Sequence, residues 1–273
     1  MKIIEKVKNE NGRRIIRLFG KKVLSYKKAK KQAYEDVFLK SNYHVQKENG
    51  KIKIFNDAVT IEGIAENTLW TAASVFCNDE YHFEMNEKYV MFDIGLNLGI
   101  TSLHKAQDKN CVQIYGWEPF VPTFKLAQHN MALNKTLSQK IMIFNYGLGN
   151  KDETLEINYN PQKPGSMSSV KNIFTECEDV EKIHIKKASS VLKALFAKHK
   201  EKIFLKIDCE GAERQILPDL DASGLIKKVD IIIMEWHFED PKWIVDLLTK
   251  NGFVVFKVNA IEGELGMIRA YKK

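Results

Sequence analysis

Two apolar runs end in clusters of charge. FLKIDCEGAE, residues 204–213, carries Lys206, Asp208 and Glu210 at alternate positions, and MEWH, residues 234–237, adds Glu235 and His237. Alternate residues of a strand share one face, so three charges where an apolar run stops want water or a ligand. Proton transfer is the chemistry these groups can do. Asp208 and His237 are the candidate bases, the histidine because its ordinary pKa of ~6.5 leaves it largely neutral at pH 7, and a poised base is worth ~10²–10⁴-fold in rate. The purely structural alternative for any one of them is an ion pair, Lys206 with Glu210 or with Glu235. Asp208, Glu210 and Glu235 are also a carboxylate set of the kind that holds Mg²⁺ as a Lewis acid, although a metal-free site is preferred. His44, His82, His104, His129, His184 and His199 adjoin no comparable run end and are assigned to packing or surface positions.

A second constellation is FDIGLNLGITSL, residues 92–103, an apolar run entering Asp93, Gly95, Asn97 and Gly99 and then a helical pattern. Glycines at such a bend let the backbone approach a ligand, and free N–H groups at the helix start favour an anion. The next apolar run, IYGWEP, ends at Glu118, 19 residues beyond Gly99. A doubly wound fold places the acid that accepts ribose hydroxyls at a spacing of ~20 residues. A dinucleotide site wants three glycines, whereas Asn97 and Ile100 occupy the second and third positions here. Asp93 also repels a diphosphate and welcomes an amino group. S-adenosylmethionine has that amino group and no phosphate.

These residues need a scaffold that brings strand ends together. From Tyr89 onward, strand-length runs alternate with amphipathic stretches, the pattern of a parallel sheet covered on both faces. Strands are expected at 89–93, 112–117, 141–146, 203–208, 229–235, 253–258 and 266–271. Helices are expected at 99–107, 120–134, 189–200, 212–217 and 240–251, with Pro241 in a first turn and Gly252 as a stop. The segment 147–187 interrupts this order with one more strand, Thr154–Asn158, and with YNPQKPGSMSS, either a loop over the site or a plain connection. Before Tyr89 the pattern is weaker: a basic helix over Lys21–Lys40, a hairpin GKIKIFNDAVTIEG turning at Asn56-Asp57, and a helical stretch Leu69–Phe76. The chain therefore divides into a basic N-terminal extension, 1–88, and an α/β domain, 89–273.

The composition, 44% hydrophobic and 28% charged over 273 residues, excludes disorder, collagen and coiled coil. No apolar run approaches the ~20 residues of a membrane span, and the charged start MKIIEKVKNENGRR is unlike a signal peptide. Cys77, Cys111, Cys177 and Cys209 form no C-x-x-C pair, so a reduced, cytoplasmic setting is expected. The net charge of +7 is concentrated: residues 1–31 hold twelve Lys or Arg against Glu5 and Glu10, and the rest of the chain is slightly acidic. Such a leader is either a solvated face or a contact for a phosphate-bearing partner.

Taken in order, FDIGLNLG, WEPFVPTFKLAQHN, NYGLGN, PGSMSS, KIDCEGAE and MEWH make the stretch from Tyr89 to His237 resemble the FkbM-type S-adenosylmethionine-dependent methyltransferases. The resemblance implies a Rossmann-like, doubly wound, mostly parallel seven-stranded sheet whose last strand, 266–271, runs antiparallel. It implies that Asp93, Gly95, Asn97 and Gly99 hold the methionine part of the cofactor and Glu118 the ribose. Pro119-Phe120 and Tyr146-Gly147 would flank the adenine. The charged run ends, read on their own, give the expected catalytic set of Lys206, Asp208, Glu210 and His237. Two positions depart from the family pattern. Leu96 stands where alanine is usual, and KKASSVL, residues 186–192, lacks the common acid, leaving Ser189 or Ser190 as a helix N-cap.

The expected function is O-methylation of a hydroxyl on a sugar, nucleotide-sugar or glycan precursor, the sugar being the habit of the family. Trp236 and Trp243 either stack on such a ring or belong to the core. A nucleic-acid methyltransferase, suggested by the basic leader, lacks the Asp/Asn-Pro-Pro-aromatic run, since Asp208-Cys209-Glu210-Gly211 stands there. A nicotinamide-dependent oxidoreductase lacks the glycines. A non-catalytic interaction module leaves the five clustered charges unexplained. The acceptor, the oligomeric state and the role of the leader are not encoded in any motif.

Overall fold

The computed structural model describes residues 4–8, 13–18, 21–27, 32–160, 167–170, 179–238, 240–260 and 265–272. Seven strands build the central sheet: β1 (Tyr89–Ile94), β2 (Cys111–Trp117), β3 (Ile141–Phe144), β4 (Lys202–Ile207), β5 (Ile231–His237), β6 (Phe253–Ala260) and β7 (Leu265–Lys272). Their order is β6-β7-β5-β4-β1-β2-β3, and β7 is antiparallel to both neighbours while the other pairs are parallel. Every strand expected from the apolar runs is present, with ends shifted by at most a few residues.

The apolar runs form strands because both faces of the sheet are covered. All six residues of β1 are buried, and they alternate between two cores. Val90, Phe92 and Ile94 join the cluster under helices α3 (Ala188–Lys198), α4 (Glu213–Ala222) and α5 (Lys242–Lys250). Tyr89 and Met91 join the opposite cluster, with α1 (Ile100–Ala106). Each such side chain contributes about 1.5–3 kcal/mol by leaving water. Helix α2 (Val121–Leu133) follows β2, as expected. The tryptophan question is settled: Trp236 is a buried member of the first cluster, and Trp243 packs against it.

The segment before β1 supplies much of the second core. Phe38, Tyr43, Ile52, Ile54, Ile61, Leu69, Val75 and Phe76 share one cluster with Met91, Ile100 and Phe204. The hairpin is present as Lys51–Phe55 and Thr60–Ile64, with a further strand, His44–Glu48, on its outer side. The helical stretch is present as Ala65–Ala72, continuing into a wider π-turn, Ala73–Cys77. The expected basic helix over Lys21–Lys40 is corrected. Only Gln32–Lys40 is helical, and Lys21–Lys27 is the last strand of an antiparallel meander with Ile4–Lys8 and Arg13–Leu18. The stretch KKVLSYK centres a β-branched valine and a tyrosine between polar ends, which suits a short strand better than a helix. The remainder of that expectation, residues 28–31, lies outside the described residues.

The interruption after β3 is a small sheet of Gly147–Gly149, Glu153–Asn158 and Val180–Lys187. Its last strand leads into α3, whose N-cap is Lys187; neither Ser189 nor Ser190 caps it. Asp219 of α4 does the capping from outside, accepting the Ser189 N–H at 2.6 Å and its hydroxyl at 3.0 Å. Pro241 and Gly252 bracket α5 as expected, and Asp240 accepts the Lys242 N–H at 2.8 Å. Cys77, Cys111 and Cys209 are free thiols, and Cys177 lies outside the described residues.

Candidate active site

The strand order reverses between β4 and β2 about β1, and in open α/β sheets ligands bind beyond the carboxyl ends of strands at such a point. Both charged motifs and the glycine bend end there. The bend is tight because β1 and β4 leave it no room: a Cβ on Gly95 would lie 1.7 Å from the carbonyl oxygen of Asp208, and its φ of +86° favours glycine independently. That approach is backbone to backbone. The nearest atom is Asp208's own carbonyl.

Beneath the bend sits a buried ion pair. Asp93 is registered beside Lys206, whose Nζ lies 3.0 Å from Asp93 Oδ1 and donates to the Gly95 carbonyl at 2.6 Å. Asp93 Oδ2 accepts the Ser102 hydroxyl at 2.6 Å. Burial by itself would depress the Lys206 ammonium, but the carboxylates of Asp93 and Asp208 outweigh it and raise its pKa. Asp93 is fully buried and lines neither cavity described below, so it secures Lys206 and the bend from underneath.

Two cavities open on the rim. The narrow one runs from Glu118, Pro119 and Phe120 past Gly147, Leu148 and Ile185 to Asp208 and Cys209. Met167 and Ser169 cover it, and the Ser168 hydroxyl donates to the Glu210 carbonyl, so the described end of the segment 159–169 is a wall of the site. Residues 161–166 lie outside the described residues. Glu118 Oε2 accepts the Asn97 N–H at 3.0 Å and Oε1 the Phe120 N–H at 3.1 Å. Burial pushes its carboxyl up to about 7 against those two hydrogen bonds. Asn97 takes a left-handed φ of +52°, and its Oδ1 is shut off from solvent with no hydrogen-bond partner among the described residues.

The wider cavity has a volume of about 430 Å³, within the range of small-molecule sites. Lys206, Asp208, Glu210, Glu235 and His237 line it, with Glu80 and Tyr81. The sequence motifs did not point to the last two, which arrive from the turn after Cys77. The Tyr81 hydroxyl donates to Asp208 Oδ2 at 3.0 Å, and Lys206 Nζ lies 3.7 Å from the same oxygen. Burial would raise the Asp208 carboxyl, yet Lys206, then His237 and the Tyr81 hydrogen bond, bring it below its ordinary value. Its neighbours go the other way: burial, reinforced by Asp208, raises Glu235 to about 9, and burial raises Glu210 to about 7.

His237 is not the neutral imidazole expected from its ordinary pKa. Burial favours the neutral ring, but the hydrogen bond and charge of Glu213 prevail and raise it to about 9, so it is a cation at pH 7. Glu213 is a third residue that the sequence reading did not single out, although it stands inside the KIDCEGAE motif. It is buried, accepts the Gly211 N–H at 2.9 Å, and holds the histidine so that Nε2 lies 3.6 Å from Glu210 and 3.9 Å from Glu235. The expected ion pair of Lys206 with Glu210 or Glu235 is replaced by its pairs with Asp93 and Asp208. The carboxylates named for a metal also change: Asp208, Glu235 and His237 bring one ligand atom each within 4.8 Å of one another, and Glu210 is not in that group.

Of the residues assigned to a cofactor, Gly95 and Asn97 border both cavities, and Glu118, Pro119, Phe120 and Gly147 line the narrow one. Gly99 borders neither; a Cβ there would meet Met131. Tyr146 borders neither, its ring carrying Lys186 Nζ at 4.2 Å and packing against Phe144. Among the described residues no helix is long and apolar enough to cross a membrane.

Compared with known proteins, residues 93–255 match the family described as the Methyltransferase FkbM domain. "Methyltransferase sdnD" of Sordaria araneosa is 28% identical over 171 residues, which cover 53% of this chain and 65% of that protein. "Methyltransferase 1" of Beauveria bassiana (strain ARSEF 2860) is 29% identical over 146 residues, 47% of this chain and 57% of that one. The chain thus spans less than two thirds of the length of these curated relatives. Among solved structures, a methyltransferase FkbM from Methylobacillus flagellatus KT aligns with a TM-score of 0.48 and 11% identity, covering 76% of this chain and 50% of that one.

Proposed function

The chain belongs to the FkbM methyltransferase family, and on that premise we propose that it transfers a methyl group from S-adenosylmethionine to a hydroxyl of a sugar, nucleotide-sugar or glycan precursor. The observation that carries this is the common wall of the two cavities: Gly95, Asn97, Asp208 and Glu210 border both. A donor in the narrow cavity and an acceptor in the wide one would meet across Asp208 and Glu210.

The residues present fit the donor. Glu118 keeps lone pairs for two ribose hydroxyls beyond the backbone donors it already accepts. Asn97 Oδ1, enclosed and without a partner among the described residues, suits the donor's amino group. Phe120, Leu148 and Ile185 give apolar walls for the adenine. When bound, S-adenosylmethionine supplies an electrophilic methyl group on a positively charged sulfur.

The chain's own work is alignment and proton removal. In-line displacement rewards fixed geometry, which the Lys206 pillar gives to Asp208 and the Gly95 bend. Asp208, ionised at the junction, takes the hydroxyl proton. His237, a cation oriented by Glu213, stabilises negative charge growing on the acceptor oxygen. Glu80, Asp208, Glu210 and Glu235 line the acceptor side with Lys206 and His237, a set of hydrogen-bonding groups that suits the hydroxyls of a polyol.

The test is the purified chain with S-adenosylmethionine and a panel of nucleotide-activated sugars and glycans, followed by mass spectrometry for the gain of one CH₂. A methylated sugar is expected. Absence of calorimetric binding by S-adenosylhomocysteine overturns the cofactor assignment, and methylation of RNA alone overturns the acceptor.

A further inference from the structure

The helix Ala65–Ala72 and its π-turn bury Leu69, Ala72, Ala73, Val75 and Phe76 in the second core. Trp70, the largest side chain of that helix, is left 62% exposed. It therefore adds little to the fold. It borders the wide cavity, and Asn67, Thr71 and Ser74, at helical spacing from one another, border it too. Glu80, Asp208, Glu235 and His237 line the same cavity. The lining thus combines a broad apolar plane with a set of hydrogen-bonding groups.

We propose that Trp70 is the platform on which the acceptor stacks, and that the acceptor is an uncharged pyranose ring. Such a ring has an apolar C–H face that matches an indole and a rim of hydroxyls that matches the hydrogen-bonding groups of the same cavity. Glu80, Asp208, Glu235 and His237 give a hydroxyl rim several hydrogen-bonding partners within one cavity. A phosphorylated or carboxylated ring would bring a second anion against Asp208. Trp70 lies outside residues 93–255, so it belongs to the part of the chain that adapts a common transfer site to its own acceptor.

The inference rests on the sugar O-methyltransferase function proposed above, and the experiment separates the two. Wild type, Trp70→Ala and Trp70→Phe are assayed at saturating S-adenosylmethionine against a panel of uncharged methyl glycosides, with open-chain polyols as controls. S-adenosylhomocysteine affinity and thermal midpoint are measured for each variant. Wild type should methylate at least one glycoside. Trp70→Ala should raise its KM by about tenfold, the equivalent of one lost stacking contact, with kcat, cofactor affinity and thermal midpoint unchanged and Trp70→Phe between the two. A methylated glycoside whose KM is the same in wild type and Trp70→Ala overturns the platform and leaves the function standing. If wild type binds S-adenosylhomocysteine but methylates no glycoside, the acceptor class falls and the platform with it.

Discussion

Glu213 Oε1 accepts both the backbone N–H of His237, at 2.7 Å, and its ring Nδ1, at 3.2 Å. One buried carboxylate therefore fixes the ring orientation and the charge of a residue 24 positions away. In the proposed mechanism it makes His237 the electrostatic group and leaves Asp208 as the proton acceptor. Glu213→Gln keeps the shape and removes the charge, so the His237 pKa should fall from about 9 towards its ordinary value. A group whose folded pKa is raised contributes stability that is complete below its unfolded value and is lost as pH rises through the folded one. The variant should thus lose the part of its stability that disappears between pH ~6.5 and about 9. The alkaline limb of kcat should move down with it. NMR titration of the imidazole and a pH–rate profile check both, and an unmoved limb would remove His237 from the mechanism.

Ionised Glu118 is destabilising in the free protein, and under the proposed function it becomes useful when a ribose is bound. Its folded pKa, about 7 against an ordinary 4.5, means that ionisation above pH 4.5 costs stability, increasingly until pH passes 7. Glu118→Gln should raise the thermal midpoint of the free protein at pH 8 and leave it nearly unchanged at pH 4.5. The same variant should weaken S-adenosylhomocysteine binding at least tenfold, the order of a lost hydrogen bond to a charged group. Calorimetry and a pH series of melts measure the two effects, and equal affinity in the variant would detach Glu118 from the ribose.

The sheet was legible because strands buried on both faces must be apolar throughout: β1 is YVMFDI and β5 is IIIMEWH, and neither admits another element of that length. The spacing of Gly99 and Glu118 was legible because one helix and one strand fix it. The pairing of Asp93 was not legible, since a carboxylate before a glycine bend looks open to ligand until the register sets Lys206 beside it. Glu80 and Tyr81 carry no local signal at all. They reach Asp208 only through the packing of the segment before β1, across a sequence separation of 127 residues for the Tyr81 bond. Glu213 was visible as a motif letter, but nothing in helical periodicity says that its carboxylate turns back towards β5.

Lys206 joins Asp93, Asp208 and the Gly95 carbonyl, and it is 2% exposed. Removing one partner of a buried pair leaves the other charge uncompensated, at a cost of about 3–5 kcal/mol. Lys206→Met should lose that much stability in urea, and the double variant Lys206→Met with Asp93→Leu should recover part of it. Both should lose methyl transfer, because Asp208 is no longer held. If Lys206→Met retains wild-type turnover, the pillar is structural only.

Metal removal tests the remaining possibility for Asp208, Glu235 and His237. The charge balance of this group is already met by Lys206 and by protonated His237, so EDTA should leave turnover unchanged and added Mg²⁺ should not raise it. Loss of activity on chelation, restored by Mg²⁺, would replace the proton-transfer assignment of Asp208 by metal ligation.

Leu96 departs from the alanine usual in the family, and the structure shows what accommodates it. A Cβ on Gly116 of β2 would lie 2.7 Å from Leu96 Cδ1 and 3.3 Å from both Cδ2 and Cγ. The leucine occupies space left by that glycine, and its side chain is almost fully buried. Gly116→Ala should therefore overpack the site, at about 1–3 kcal/mol, and disturb the bend that carries Asn97. Leu96→Ala alone should leave a cavity and cost about 2–5 kcal/mol. Together the two changes relieve each other: the added methyl fills part of the space the leucine vacates, so the double variant should be more stable than the sum of the single losses by about 1 kcal/mol or more. A double-mutant cycle in urea measures that coupling. Strict additivity would mean that the bend tolerates leucine for a reason other than Gly116.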